Sequence, residues 1–340
     1  MNQPTITNHS SSHPSRTLLF LGFAVIYIVW GSTYLAIRVV VESMPPFLSA
    51  AARFLVAGFA MMAFLVWRGM PLPTKAQWKI AAIIGVLLTV GGNGLVVWAE
   101  QSISSGLAAL LVALTPMWFA LLEWLRPGGN RPDRKTVLGI VVGFAGVILL
   151  VSGRSEADSH GGSLWAALAV VAAAISWSAG SLVSKHAGAS GSPWMNAAAQ
   201  MICGGTGLLL VALCFGEPIH TDWSRITTSS MVALVYLVVM GSWLGFSVYV
   251  WLLRVSTPSL VSTYAYVNPV IAVFLGWLIL DERLSPRMLA GALVVVAGVV
   301  AITIPRNALA AIPAKLARIR SGASARKRQT KILNLKERES

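Results

Sequence analysis

The chain has 340 residues, of which 56% are hydrophobic and 11% are charged, and its mean hydropathy is +0.72. Soluble domains carry about 25% charged residues, so this composition excludes an ordinary soluble enzyme and indicates an integral protein of the lipid bilayer. The net charge of +14 does not indicate a nucleic-acid partner, because the excess lies mainly in the C-terminal tail, where basic residues are attracted to anionic lipid.

Apolar segments predict an all-α integral membrane protein, since a spanning helix needs ~20 mostly apolar residues. In chain order the ten predicted transmembrane helices are 17–38, 46–67, 78–99, 103–125, 136–152, 163–186, 194–215, 230–253, 259–280 and 286–304. A short cytoplasmic segment, 1–16, precedes them, and a basic cytoplasmic tail, 305–340, follows them. Nearly all residues from 17 to 304 therefore lie in lipid or in short connections, which leaves no room for a soluble catalytic domain.

The two halves of the chain repeat one another. At an offset of 147 positions the matched pairs include Trp30 with Trp177, Arg38 with Lys185, Pro46 with Pro193, and Arg53 with Gln200. At an offset of 153 positions they include Gly92 with Gly245, Trp98 with Trp251, and Pro116 with Pro269. Because each half holds five helices, an odd number, the second half enters the membrane in the opposite orientation. The sequence thus predicts two inverted five-helix repeats, 17–153 and 163–304, around a central cavity.

Basic residues predict the orientation of the chain in the membrane. Twenty Lys and Arg residues fall on the side that holds both termini, and five fall on the other side. Such a bias marks the cytoplasmic side, so we expect a multi-pass protein of the inner (plasma) membrane with both termini in the cytoplasm. The two Cys and five His residues form no ligand pattern, and we expect no metal and no cofactor.

Two motifs stand out, one near the start of the first repeat and one in the ninth predicted helix. The first is Trp30-Gly31-Ser32-Thr33-Tyr34 followed by Pro45-Pro46-Phe47, and the second is Tyr266-Val267-Asn268-Pro269. Together with the duplication, they resemble EamA-type proteins of the drug/metabolite transporter superfamily over about residues 18–304. The resemblance implies a ten-helix basket with a cavity lined by helices 1, 3, 4, 6, 8 and 9, in a carrier that moves amino acids, other metabolites or toxic compounds, often outward.

One departure from the family concerns its acidic residues. EamA-type proteins usually carry an acidic residue after the fourth helix, as they do after the ninth. This chain has Glu282 after the ninth helix but Asn130 at the matching place after the fourth. Either Glu123 replaces the missing carboxylate or the first repeat has lost it, so a symmetric role for the two carboxylates is not expected.

Polar and aromatic side chains form stripes along several predicted helices. Polar groups at bilayer depth are costly and usually face a cavity or a partner, although an aromatic belt at the membrane surface is the alternative. The predicted cavity lining is Tyr27, Trp30, Tyr34, Asn93, Glu100, Pro116, Trp177, Ser181, Trp243, Ser247, Tyr264, Tyr266, Asn268 and Pro269. Glu100 is also the candidate for proton coupling or for binding a substrate ammonium group. Arg53 lies early in the second predicted helix, and either a pairing with Glu42 or Glu100 or exposure to the cavity would explain how a charge is tolerated there.

These features predict a secondary transporter that exports a small organic metabolite, such as an amino acid, by alternating access. A multidrug or lipid-intermediate carrier is the alternative within transport, and a membrane sensor is the alternative outside it. An enzyme is not expected, because no convergent cluster of acid, base or nucleophile is present. The face formed by Gly139, Gly143 and Gly146 serves packing within the monomer or, alternatively, a homodimer.

Overall fold

The computed structural model describes residues 15–129, 131–152, 162–187, 191–256, 261, 263–281 and 286–303. Within these ranges the protein consists of helices and short connections, without a β-strand. The long helices are α1 (Arg16–Val41), α2 (Pro46–Trp67), α3 (Lys75–Ala99), α4 (Ser105–Leu125), α5 (Arg134–Ser152), α6 (Gly162–His186), α7 (Pro193–Cys214), α8 (Thr228–Val255), α9 (Tyr264–Leu280) and α10 (Pro286–Thr303). Most of the predicted N-terminal segment, the basic tail 305–340, Asn130 and Glu282 lie outside the described residues.

Seven of the described helices, α1 to α4 and α6 to α8, are long and apolar enough to cross a membrane. The apolar parts of α9 and α10 are shorter, at Val267–Leu280 and Leu289–Gly298. An all-helical membrane protein was predicted from the sequence, and the described part of the chain agrees with that prediction. The helix bounds lie within a few residues of the predicted ones, and the largest difference is at α9, which begins at Tyr264 rather than at 259.

Capping side chains define where several helices begin. Ser15, Ser104 and Thr227 each accept a hydrogen bond from the backbone N–H three residues later. Thr74 and Gln77 form a reciprocal capping box at the start of α3. An N-cap of this kind contributes about 1 kcal/mol, so the ends of the apolar runs are specified by short polar residues.

The helices α2 and α7 pack against each other through small residues. A Cβ placed on Gly58 would lie 3.0 Å from the backbone nitrogen of Ile202, and one on Gly205 would lie 3.0 Å from that of Leu55. Small residues let helix backbones approach this closely, which is how helices associate in lipid. The Ala-rich stretches 50–52 and 197–199, which match in the sequence, are buried in the same region.

Two helices are wound more loosely in their middle. Residues Val86–Gly94 of α3 and Leu237–Phe246 of α8 are π-helical, and these segments occupy matching places in the two halves of the chain. A π-helical segment inserts an extra residue into the helical repeat and turns the following side chains to a different face. Both segments are rich in glycine, and both contribute residues to the central cavity described below.

The helix α4 is interrupted just before its proline. Its two α-helical parts are Ser105–Val112 and Thr115–Leu125, with Pro116 near the start of the second part. Proline cannot donate to the carbonyl four residues earlier, and the Thr115 hydroxyl donates to that carbonyl, of Val112, at 2.6 Å. The repeat mate, Pro269, lies inside the continuous helix α9.

The glycine face of α5 contacts other helices of the same chain. A Cβ on Gly143 would overlap the side chain of Met117, and one on Gly146 would lie 2.8 Å from the backbone nitrogen of Val295 in α10. A Cβ on Gly298 of α10 would lie 2.7 Å from the backbone nitrogen of Gly143. Packing within the monomer therefore accounts for these glycines.

Glu217 connects the segment that follows α7 to the start of α2. Its carboxylate accepts hydrogen bonds from the backbone N–H groups of Phe47, at 3.1 Å, and Leu48, at 2.7 Å. Partial burial raises the pKa of the Glu217 carboxyl, and the two hydrogen bonds oppose that effect. A carboxylate at this position also meets the positive end of the α2 dipole.

Candidate substrate cavity

A small cavity lies among α1, α2, α3, α4, α6, α8 and α9. Its volume is about 70 Å³, and it is partly open rather than fully enclosed. The polar and aromatic part of its wall consists of Trp30, Thr33, Tyr34, Arg53, Asn93, Trp177 and Tyr264.

An aromatic cluster forms one side of the cavity. The ring centroid of Trp30 lies 5.5 Å from that of Trp177, 4.9 Å from that of Tyr249 and 5.3 Å from that of Tyr264. These rings come from α1, α6, α8 and α9. Each such pair contributes about 0.5–1.5 kcal/mol beyond the burial of its area, so the cluster holds four helices together at the cavity wall.

Two hydrogen bonds orient this cluster. The indole Nε1 of Trp30 donates to the carbonyl oxygen of Gly241 at 3.2 Å, within the π-helical segment of α8. The Tyr249 hydroxyl lies 2.9 Å from the Ser181 hydroxyl of α6. Ser181 is thus buried behind the aromatic wall rather than in it. Tyr249 was not predicted, although it is among the most deeply buried large side chains of the described residues.

Buried charges lie at the opposite side of the cavity. Arg53 is 4% exposed, its Nε donates to the Ser242 hydroxyl at 2.7 Å, and its guanidinium carbon lies 4.7 Å from the centroid of the Phe54 ring. Glu100 is fully buried and interacts electrostatically with Arg53 and with Tyr34. The sequence offered two explanations for Arg53, a carboxylate partner or exposure to the cavity. In the structure Arg53 both interacts with the charge of Glu100 and lines the cavity.

A second cation lies beside this carboxylate. Arg38 of α1 donates through Nη1 to the backbone carbonyl of Glu100. The end of α3 is thus held between α1 and α2 by two arginines. Charged groups within membrane segments are costly unless they are paired or solvated, and here opposite charges are grouped at the same end of the bundle.

Comparison with known proteins identifies the family. The model of the EamA-like transporter family matches residues 17–152 and again residues 164–304. The chain belongs to the EamA-like transporter family. Proteins of this family are membrane transporters, and each of the two matched ranges contributes helices that border the cavity.

Several proteins are similar to this EamA chain over most of its length. The "Uncharacterized inner membrane transporter YedA" of Escherichia coli (strain K12) is 37% identical over 296 residues, which cover 87% of this chain and 94% of the relative. The "Probable amino-acid metabolite efflux pump" of Salmonella typhimurium is 26% identical, covering 82% and 92%. A solved crystal structure with 21% identity has a TM-score of 0.62 and covers 85% of this chain and 98% of that chain, which supports the same fold.

Five of the predicted cavity residues of this EamA chain line the central cavity in the structure. They are Trp30, Tyr34, Asn93, Trp177 and Tyr264. Glu100 lies beside it, as described above. Pro116 is buried in α4, next to the interruption of that helix. The side chain of Tyr266 lies outside the described part of the structure.

The contacts between α1 and α9 include two further predicted residues. The Tyr27 hydroxyl lies 2.5 Å from that of Thr263. The Asn268 amide, oriented as a donor, lies 3.1 Å from the carbonyl oxygen of Tyr27 and 3.2 Å from that of Tyr264. Asn268 is 2% exposed and Pro269 is buried in the same helix. Tyr27 and Asn268 therefore join two helices and do not contribute to the central cavity wall.

The structure places two predicted residues of α8 away from the cavity. Trp243 is 38% exposed and its ring contacts that of Phe64 at 6.5 Å on the outer surface. The hydroxyl of Ser247 is buried against Met61 of α2, 3.4 Å from its sulfur. The prediction assumed α-helical spacing along α8. The π-helical segment changes which side chains share a face of the helix, so Gly241 and Phe246 line the cavity instead.

Proposed function

We propose that the chain is a secondary transporter of the inner membrane that exports a small organic metabolite, such as an amino acid, by alternating access. The observation that carries this proposal is the buried cavity between the two ranges that match the EamA family. Trp30 and Asn93 come from the first range, and Trp177 and Tyr264 come from the second. A site shared by two halves can be exposed to either side of the membrane when the halves rock against each other.

The proposal includes ten transmembrane helices arranged as two inverted repeats, 17–153 and 163–304. It is supported by the double match to the family, by the matching π-helical segments of α3 and α8, and by the reciprocal packing of Gly58 and Gly205. A symmetric pair of repeats gives the protein two similar conformations, one open to each side. Such a pair is the structural basis that alternating access requires.

Glu100 is the proposed coupling group. Its carboxylate is fully buried and interacts electrostatically with Arg53, which lines the cavity. A carboxylate in this position can exchange a proton when the cavity opens, or can meet the ammonium group of a zwitterionic substrate. The name of the Salmonella relative, a probable amino-acid metabolite efflux pump, supports an amino acid as the first substrate class to test.

Counterflow in proteoliposomes tests transport directly. Vesicles that contain the purified protein are loaded with unlabelled amino acids, nucleosides or cationic dyes, and uptake of the same labelled compounds is measured. We expect exchange of at least one amino acid above the level of protein-free vesicles. Exchange of dyes alone would favour a multidrug carrier, and no exchange of any class would contradict the proposed function.

Orientation is predicted separately, from the distribution of basic residues. A reporter of cytoplasmic location fused after residue 340 should be active, and the same reporter inserted within 154–160 should be inactive, because five helices separate these sites. A reporter of periplasmic location should give the reverse pattern. If the reporters placed both sites on the same side of the membrane, the inverted-repeat arrangement would be contradicted.

A further inference from the structure

A second, larger cavity opens at one end of the bundle. It has a volume of about 370 Å³ and lies where α6 and α8 end and where α3 and α7 begin. Its polar wall consists of Gln77, Ser184, Lys185, Asn196, Gln200 and Arg254. Under the proposed topology this end faces the cytoplasm, so the cavity, here called the vestibule, lies on the side from which an exported solute enters.

The vestibule is positively charged. Lys185 is exposed and Arg254 is partly buried, and no carboxylate is among the described residues that line it. The neighbouring ranges 188–190 and 257–260 contain no Asp or Glu in the sequence. The two cations therefore have no counter-charge within the described lining.

Two buried polar atoms at the vestibule lack a hydrogen-bond partner among the described atoms. Gln200 is 3% exposed, and its Oε1 has no such partner. Arg254 donates through Nη1 to the carbonyl oxygen of Gly191 at 2.6 Å, while its buried Nη2 has no such partner. A buried donor or acceptor left unpaired costs about 1–3 kcal/mol, so a ligand that pairs with Arg254 is favoured.

The repeat relates the vestibule to the charged group at the other end of the bundle. Lys185 matches Arg38 and Gln200 matches Arg53, both at the offset of 147 positions. At the offset of 153, which pairs Trp98 with Trp251, the position that matches Glu100 is Leu253. Leu253 lines the vestibule.

The two ends therefore differ at two charged positions, because Gln200 stands where the first end has Arg53 and Leu253 stands where it has Glu100. Around Glu100, the arginines are accompanied by a carboxylate that the chain itself provides, and the described residues are tightly packed. Around Leu253, Lys185 keeps the charge of its repeat mate and Arg254 supplies the second cation, but no carboxylate is among the described lining residues. A negative group from outside the chain would complete the second cluster in the way that Glu100 completes the first.

We propose that the vestibule binds the carboxylate of a small organic acid or zwitterionic amino acid through Lys185 and Arg254. Hydrogen bonds between cations and carboxylates are short and about twice as strong as neutral ones, and the planar guanidinium can hold both carboxylate oxygens. This inference rests on the proposed function for the role of the vestibule as the cytoplasmic entrance. It restricts the substrate class to solutes that present a carboxylate.

Binding to the purified full chain tests the site without requiring transport. Tryptophan fluorescence is titrated in a neutral detergent with three probes of the same size, namely phenylacetate, phenylacetamide and phenethylamine. We expect phenylacetate to bind on the order of tenfold more tightly than the other two. Lys185→Gln and Arg254→Gln should each remove most of this preference, because each removes one cation. Equal binding of the acid and the amide would overturn the proposal.

A charge placed on the chain gives a sharper test. Leu253→Glu supplies the carboxylate that the repeat lacks and should abolish phenylacetate binding, whereas Leu253→Gln, which has the same size and no charge, should leave the preference for the acid. Lys79→Gln is the matched control, since Lys79 is an exposed lysine of α3 that is not among the lining residues. Loss of binding in both Leu253 variants, or an effect of Lys79→Gln as large as that of Lys185→Gln, would contradict the proposed site.

The source of the negative group is tested in vesicles. The titration is repeated in vesicles of phosphatidylcholine alone and in vesicles that also contain phosphatidylglycerol. Unchanged phenylacetate binding supports a soluble solute, and displacement by phosphatidylglycerol would show that a lipid headgroup occupies the vestibule, against the proposal. If phenylacetate binds as expected but no solute is exchanged in the counterflow assay, the site stands and the proposed transport function fails.

Discussion

Glu100→Gln is expected to abolish substrate accumulation driven by a pH gradient and to lower the thermal stability of the protein. The carboxylate is fully buried and interacts with Arg53, and its backbone carbonyl accepts a hydrogen bond from Arg38. Removing one of two buried, oppositely charged groups leaves the other charge less compensated, which destabilises the folded protein, by about 3–5 kcal/mol where the two groups form a close pair. The loss of stability is measured by a thermal melt of the detergent-purified protein, and accumulation is measured in proteoliposomes.

The double variant Arg53→Gln/Glu100→Gln separates stability from transport. It removes both charges, so the thermal melt should recover toward that of the unmodified protein, while accumulation should remain absent. Recovery of accumulation together with stability would show that the pair only supports the fold. Glu42→Gln is the matched control, because Glu42 is an exposed carboxylate at the end of α1 and was the other candidate partner of Arg53. It should change neither measurement.

The positions of the helices could be predicted because apolar length is a strong local signal. About twenty apolar residues in succession have few alternatives to a spanning helix, and the predicted bounds of α2 and α6 differ from the observed ones by at most one residue. The start of α9 was less predictable. Of residues 259–263, Leu260 and Val261 are apolar and the other three are Ser or Thr, which also occur inside membrane helices, so composition alone does not indicate where that helix begins.

The cavity residues were predictable on α1 and α6 but not on α8. Trp30 and Trp177 lie on regular α-helices, where spacing gives the face correctly. On α8, the π-helical segment Leu237–Phe246 changes the register, and a prediction that assumes α-helical spacing selects Trp243 and Ser247. Tyr249 was missed for the same reason. The paired glycines at 241 and 245 were the only signal in the sequence that this helix is irregular.

The charged groups were predictable as candidates, and Glu100 was one of two candidate partners that the sequence offered for Arg53. Arg53 and Glu100 were recognised as unusual in apolar segments, and their interaction depends on the packing of α2 against α3. The vestibule could not be predicted, because Gln200 and Leu253 are ordinary residues in isolation. They indicate a binding site only when they are compared with their repeat mates, Arg53 and Glu100. That comparison requires knowing which side chains line each cavity.

Gly245→Ala is expected to lower transport by on the order of tenfold while the protein still folds. A Cβ on Gly245 would lie 2.6 Å from the indole Nε1 of Trp30 and 2.9 Å from its Cδ1, so the indole must move. Trp30 is confined by Trp177, Tyr249 and Tyr264, and overpacking of this kind costs about 1–3 kcal/mol. A shift of that size in the relative energies of the two conformations changes their ratio by about tenfold.

The measurement is the initial rate of counterflow, with a thermal melt to confirm folding. Ala172→Val is the matched control, since Ala172 is an exposed residue of α6 at which added methyl groups meet no cavity residue. Adding Trp30→Phe to Gly245→Ala should restore part of the rate, because phenylalanine lacks the indole nitrogen that the new methyl group would meet. A Gly245→Ala protein with the original rate would mean that the aromatic wall does not move during transport, and the route of the solute would then have to avoid the central cavity.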